Sequence, residues 1–150
     1  MSESVKPNPV NASGTSLEIG SPAVAVARLS NIGSPKLSRE AIDVTTLDTE
    51  GGYREYIDGY RDGGEITVTG FFVFTDPGQK AIIAAFEAEG TQHFCIKFPD
   101  AVGAKWEFDG VVTGYEITSE VGNAIGFTAT IKVSGKPVMS ATTTTPVNDN

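Results

Sequence analysis

Residues 125–133 read IGFTATIKV, and this stretch decides the fold: Ile125, Phe127, Ala129, Ile131 and Val133 alternate with Gly126, Thr128, Thr130 and Lys132. Period-two alternation marks a β-strand with one buried and one polar face, because successive side chains leave a pleated strand on opposite sides. Upstream, residues 105–118 also alternate but change parity, Trp106 and Phe108 being even while Val111, Tyr115 and Ile117 are odd. One extra residue in a strand shifts parity in this way, which predicts a β-bulge near Gly110. Residues 65–74 put Ile66, Val68, Phe72 and Phe74 on one face with Phe71 and Val73 opposite, so both faces are expected to be covered in the second half. Shorter signals at Phe94, Ile96 and Phe98, at Ile42 and Val44, and at 24–29 bring the expected strands to about six.

One helix interrupts them. Asp76 suits the amino cap, Pro77 the first helical position, Gln79 the reciprocal partner of a capping box and Gly90 the stop, a helix over 76–89 with its cap. Ile82, Ile83 and Phe86 form its apolar stripe, with Glu87 and Glu89 outside, so it should lie on the sheet. The expected fold is mainly β, a sandwich or barrel with one flanking helix. The 150 residues suit one such domain, and 17 Gly with 8 Pro argue against a helical bundle. The domain is placed at 17–138, between a flexible amino-terminal arm (1–16) and a carboxy-terminal tail (139–150), both rich in residues that bury little apolar surface.

Charge and composition exclude several functions. A formal charge of -8 repels phosphate and argues against tight nucleic-acid binding. A single cysteine, Cys95, and a single histidine, His93, provide neither an internal disulfide nor a four-ligand zinc site. The start, MSESVKPNPVNASGTS, has no apolar run of the kind a secretion signal needs, and no segment reaches the roughly 20 apolar residues of a membrane span, so a soluble protein made in a cytoplasm is expected. The sequon at 11–13 is then incidental.

His93 and Cys95, two apart on one strand, are the only base and nucleophile pair, but nothing orients the histidine and no GxSxG surrounds a serine. A solvated strand face explains them more economically, and neither an enzyme nor a cofactor is expected. Asp48, Glu50, Glu55, Asp58, Asp62 and Glu65 lack calcium-loop spacing, and Arg54 and Arg61 among them oppose a cation. The same stretch carries Tyr53, Tyr56, Tyr60 and Ile57, and tyrosine with arginine is the composition of interface cores. Residues 46–64 read as a loop of about 19 residues without regular structure, a length that in compact domains marks function. Tyr53, Arg54, Tyr56, Ile57, Tyr60, Arg61 and Asp62 are therefore candidate protein-contact residues.

In chain order the parts are GGYREYIDGYRDGGEITVTGFF (51–72), TDPGQKAIIAAFEAEGTQHFCIKFPD (75–100) and WEFDGVVTGYEITSEVGNAIGFTATIKVSGKP (106–137). This set resembles the major tail tube proteins of long, noncontractile-tailed, lambda-like bacteriophages, over about 17–138. The resemblance implies a two-sheet β fold with one helix, related to the tube proteins of contractile injection systems. It implies a virion protein, assembled in the host cytoplasm, whose hexameric rings stack into a hollow tail tube for DNA delivery. The implied partners are further copies of the chain and the tape measure, tail tip or distal tail, and tail terminator proteins. The long loop and the chain ends would then contact neighbouring subunits. After Pro137 only a Thr-rich tail remains, so the added immunoglobulin-like domain of the lambda member is expected to be missing.

Six copies at -8 each would carry about -48, and an acidic lumen that makes no phosphate contacts keeps DNA mobile. Glu107, Asp109, Glu116 and Glu120 are the lumen candidates. Two other readings compete: a monomeric β-sandwich that binds a ligand such as a glycan through its tyrosines, and the tube of a contractile or secretion system.

Overall fold

The computed structural model describes residues 9–142. Among them the strands are β1 (Ser16–Ile19), β2 (Val24–Val26), β3 (Leu29–Ile32), β4 (Ser38–Asp43), β5 (Tyr56–Asp62), β6 (Glu65–Phe71), β7 (Gln92–Lys97), β8 (Ala104–Thr118) and β9 (Gly126–Ala141), with helix α1 (Pro77–Glu87) between β6 and β7. Seven strands form one antiparallel sheet in the order β2-β1-β7-β8-β9-β6-β3, and β4 with β5 forms a separate hairpin. The sheet edges, β2 and β3, are consecutive in the chain and β1 touches β3, so the sheet curls into a nearly closed barrel.

The apolar positions of the alternating segments fill its interior. Phe127, Ala129, Ile131 and Val133 of β9 are all buried, as are Ile66 and Val68 of β6 and Phe94 and Ile96 of β7. Phe94 stacks on Phe108 at 5.6 Å between ring centroids, and Phe127 lies between Phe72 and Tyr115. Each such side chain contributes about 1.5–3 kcal/mol on leaving water. α1 packs on β8, β2 and β1, with Ile82 and Ala85 buried beneath it.

The seam between β2 and β3 is closed by the start of α1. Asp76 caps the helix through Gln79 N–H (2.9 Å) and also accepts from Ala27 N–H (3.0 Å) in the β2–β3 link. The fully buried Gln79 side chain does not reach back to the cap as a capping box requires. Its Oε1 accepts from Val73 N–H (2.9 Å), and its Nε2 donates to the carbonyls of Phe71 (2.8 Å) and Ala27 (3.1 Å). A Cβ on Gly78 would overlap the Ala25 carbonyl, and one on Gly70 would overlap that of Arg28. The DPGQ sequence is thus a packing requirement as well as a helix start.

Several expectations need correction. Residues 46–64 are not without regular structure: β5 occupies Tyr56–Asp62 and pairs with β4. Residues 24–29 form no single strand, because Arg28 adopts φ 61 and divides β2 from β3. β1 begins at Ser16, inside the expected arm, and β9 runs to Ala141, inside the expected tail; the rest of those segments beyond 9–142 lies outside the described residues. The register of β8 against β9 shifts on both sides of Gly110, between Glu107 and Asp109 and between Val112 and Gly114, and the parity of the buried side chains changes at the second, at Thr113. Val112 is buried and Val111 faces out; Gly110 is small because a Cβ there would lie 2.8 Å from Ile131. β6 ends at Phe71, leaving Phe71 and Phe74 exposed, with Phe74 under the Lys80 ammonium. The helix ends at Glu87, and Phe86 is half-exposed, its ring edge on Tyr115.

A free helix gains about 0.8–1.0 kcal/mol from Gly→Ala. Here Gly78→Ala is expected to lose stability in urea unfolding, and Gln79→Leu to lose about 1–3 kcal/mol by stranding three part-buried backbone groups. A stabilised Gly78→Ala contradicts this seam.

Candidate functional site

The hairpin β4–β5 carries the candidate contact residues, and none of the described residues covers it. Its register pairs Ile42 with Ile57 and Asp43 with Tyr56, and a shift between Arg39 and Ala41 accommodates Gly59, where a Cβ would lie 2.8 Å from that of Glu40. Tyr56, Ile57 and Tyr60 are 56%, 54% and 89% exposed, and Tyr53 in the connecting segment is 77% exposed. The structure brings these four together with Arg54, Arg61 and Asp62 on one projection. It adds Leu37, Ile42, Val44 and Leu47, which are also exposed and which tyrosine–arginine composition does not flag.

A two-stranded hairpin is marginal in water, because it buries too little to offset the entropy of ordering. Local polar contacts hold this one. Arg39 pairs with Asp58 and Arg54 with Asp43, each at 2.9 Å, and Val44 N–H donates to the Glu55 carbonyl (2.9 Å). Three aspartates are held below the ordinary carboxylate range: Asp43 mainly by Thr45, Asp48 by the Thr46 hydroxyl, and Asp62 by Gly64 N–H and then Lys132. Exposed pairs of this kind contribute little each. The hairpin therefore exposes several large apolar side chains on a polar frame, which makes it the candidate contact surface.

The lumen candidates occupy a second surface, the outer face of the barrel. Glu107, Asp109 and Glu116 point outward from β8, and Glu120 lies beyond its end, where it accepts from Asn123 Nδ2 at 3.0 Å. Beside them β6 and β9 present a threonine ladder, Thr67 opposite Thr130 and Thr69 opposite Thr128. Three lysines here are matched by a carboxylate, Lys97 with Glu18 (3.2 Å), Lys105 with Glu107 (3.0 Å) and Lys132 with Asp62 (3.4 Å), whereas Lys136 of β9 makes no ion pair among the described residues. His93 Nδ1 lies 3.3 Å from Asp109. Glu107 is thus partly neutralised by Lys105, while Glu116 and Glu120 pair with no cation among the described residues.

His93 and Cys95 do share this outer face, but the thiol is buried beneath the charged pairs, and burial first, then Glu18, pushes it above its usual range. A thiol so placed yields little thiolate. Among the described residues no group of three or more His, Cys, Asp or Glu could hold a metal, and no helix is long and apolar enough to cross a membrane.

The model of the lambda phage tail tube protein family matches residues 14–140. The chain belongs to that family. It is a structural, tube-forming protein of the virion tail. Among solved structures, one from the virion of a native gene transfer agent particle is similar at TM-score 0.75 and 18% identity, covering 89% of this chain and 100% of that one. The SPP1 tail tube is similar at TM-score 0.68 and 16% identity, over 89% and 80%. A chain of the sheath-tube complex of an extracellular contractile injection system, PVC, gives TM-score 0.68 at 12% identity, over 89% and 92%. At these identities the likeness is one of fold, and it extends to tubes of contractile injection systems. No curated protein matches.

The lowered aspartates set the hairpin's pH response. Groups that prefer the ionised form in the folded state stabilise it above their unfolded pKa, and that contribution is lost as pH falls through the lowered folded value. Hydrogen-exchange protection over 43–62 is expected to fall as pH drops through and below the ordinary carboxylate range, while β6 and β9 keep theirs. Equal loss in both regions contradicts this assignment.

Proposed function

We propose that this tail tube protein assembles as hexameric rings that stack head to tail into a hollow tube, through which DNA passes into the host. The observation that carries the reading is the uncovered hairpin: a tube family member projects about 7 residues of paired strand with no core of its own. Docking on a neighbouring copy supplies the missing cover, through Tyr53, Tyr56, Ile57 and Tyr60 with Arg54, Arg61 and Asp62 at the rim. A heterologous contact of that kind closes into rings or continues as a filament according to the rotation it imposes.

The outer polar face supports a role as the lumen wall. Its Lys97, Lys105 and Lys132 are occupied by carboxylates 3.0–3.4 Å away, which leaves a passing phosphate few free ammonium groups there. DNA affinity grows with each phosphate neutralised, and a wall that neutralises few lets DNA slide. Glu107, Asp109, Glu116 and Glu120 add repulsion. The tape measure, tail tip or distal tail, and tail terminator proteins are the remaining partners, and neither catalysis nor a cofactor enters this role. The contractile tube is the neighbouring reading on fold, and the lambda family match favours a tail without a sheath.

Ile57→Asp combined with Tyr60→Ala tests the docking surface, because both side chains are exposed and their loss leaves the barrel core intact. The variant is expected to keep the circular dichroism and melting temperature of the parent while losing polymers in negative-stain images. Tubes of normal length from this variant contradict the reading.

A further inference from the structure

We propose that the turn between β8 and β9 of one copy seats in the cleft at the root of another copy's hairpin, an inference that rests on the assembly proposed above and names the surface that continues it. The cleft has a volume of about 500 Å³ and lies between the hairpin and the barrel. Leu37, Val133 and Pro137 form its apolar lining, and Arg39, Arg61 and Lys136 stand around it. Arg39 is engaged by Asp58, and Asp62 by Gly64 N–H (2.8 Å) and Lys132 (3.4 Å). Arg61 and Lys136 make no ion pair among the described residues. An apolar opening flanked by two unmatched cations calls for a small apolar side chain with carboxylates beside it.

The β8–β9 turn has that chemistry. The Glu120 carbonyl accepts from Asn123 N–H (3.2 Å), its carboxylate accepts from Asn123 Nδ2 (3.0 Å), and Gly122 takes φ 85, so residues 120–123 form a closed reverse turn. Val121 stands at its tip, fully exposed. Glu116 and Glu120 pair with no cation among the described residues, and residues 116–125, EITSEVGNAI, contain no lysine or arginine. A turn already closed by its own hydrogen bonds has little ordering left to lose on binding. The turn between β7 and β8 is the rival, with Asp100 and the exposed Val102, but Lys97 and Lys105 bracket it, so it would bring cations of its own toward Arg61 and Lys136.

Distance assigns the β8–β9 turn to a second copy. Both features belong to β9, the turn just before Gly126 and the cleft at Val133, Lys136 and Pro137. The strand between Gly126 and Lys136 spans about 30 Å at about 3.3 Å per residue, so no chain reaches its own cleft. A knob and a socket at opposite ends of one strand make a heterologous contact, which passes from copy to copy instead of closing a dimer. Glu116 and Glu120 then stand where the wall of one copy meets the next, and the seated turn fills the gap between that next copy's hairpin and its barrel.

The test uses the full chain with Leu37→Cys and Val121→Cys, both at exposed positions outside the core, assembled at high concentration, oxidised mildly and run on a denaturing gel without reductant. A ladder of linked copies is expected, with none from either single variant and none from Leu37→Cys with Val102→Cys. Lys136→Glu is expected to raise the critical concentration for polymerisation about tenfold, and Glu120→Lys in the same chain to bring it back to within about threefold of the parent. Tubes that form without the 37–121 ladder, an equal ladder from the 37–102 pair, or a Lys136→Glu chain that Glu120→Lys does not rescue would each overturn the contact between turn and cleft and leave the tube reading standing. A parent protein that never polymerises overturns both.

Discussion

The carboxamide of Gln79, out of reach of water and bonded to three backbone groups, is the interaction on which the barrel closes. A seven-stranded sheet that stopped at β2 and β3 would leave two open rows of backbone donors and acceptors, a template for uncontrolled pairing. The chain avoids this by joining its two edges through Ala27 and Arg28 and stitching that link to the start of α1 with Asp76 and Gln79. Gly70 and Gly78 are required for the same reason, since either Cβ would push the link away from the sheet or the helix. The seam thus ties local sequence, DPGQ, to the closure of contacts some fifty residues apart.

With the barrel complete, the hairpin β4–β5 is surplus to folding. Its apolar side chains add nothing to the core, and its strands stand on exposed ion pairs and turn hydrogen bonds. Such a surface costs solubility when free and repays it only in contact with another molecule. The outer face of the sheet follows the opposite rule: threonines and paired charges keep it hydrated. One compact subunit therefore separates an exposed apolar projection from a hydrated polar face, the division that the proposed tube wall uses.

The parts of this fold that were legible in the sequence are those set by local chemistry. β9 announced itself because its two faces meet different media from Phe127 to Val133, and α1 because its cap, first residue and stop are residue types with specific backbone roles. β5 was not legible as a strand: both its faces are exposed, so no alternation between apolar and polar side chains records the pleat. The parity of β8 was ambiguous because Val111 and Val112 are both apolar, and the bulge at Thr113 has no composition signal, whereas Gly110 looked like a break and is instead a close approach to Ile131. At the candidate site, Tyr53, Tyr56 and Tyr60 stood out as candidate contact residues by composition, and the structure leaves all three exposed. Leu37 and Arg39 at its root were invisible, since only the fold brings them beside Lys136 and Pro137.

The account stands or falls on whether free protein becomes a hollow tube with the hairpin buried between copies. Cryo-electron microscopy of the purified chain, concentrated until it scatters light, measures this directly. The predicted result is a channel ringed by six copies, with Tyr56, Ile57 and Tyr60 against a neighbouring subunit and the polar outer face of β6, β8 and β9 toward the channel. Solid filaments, or rings whose hairpins remain in solvent while the apolar side of the subunit lines the opening, would contradict it.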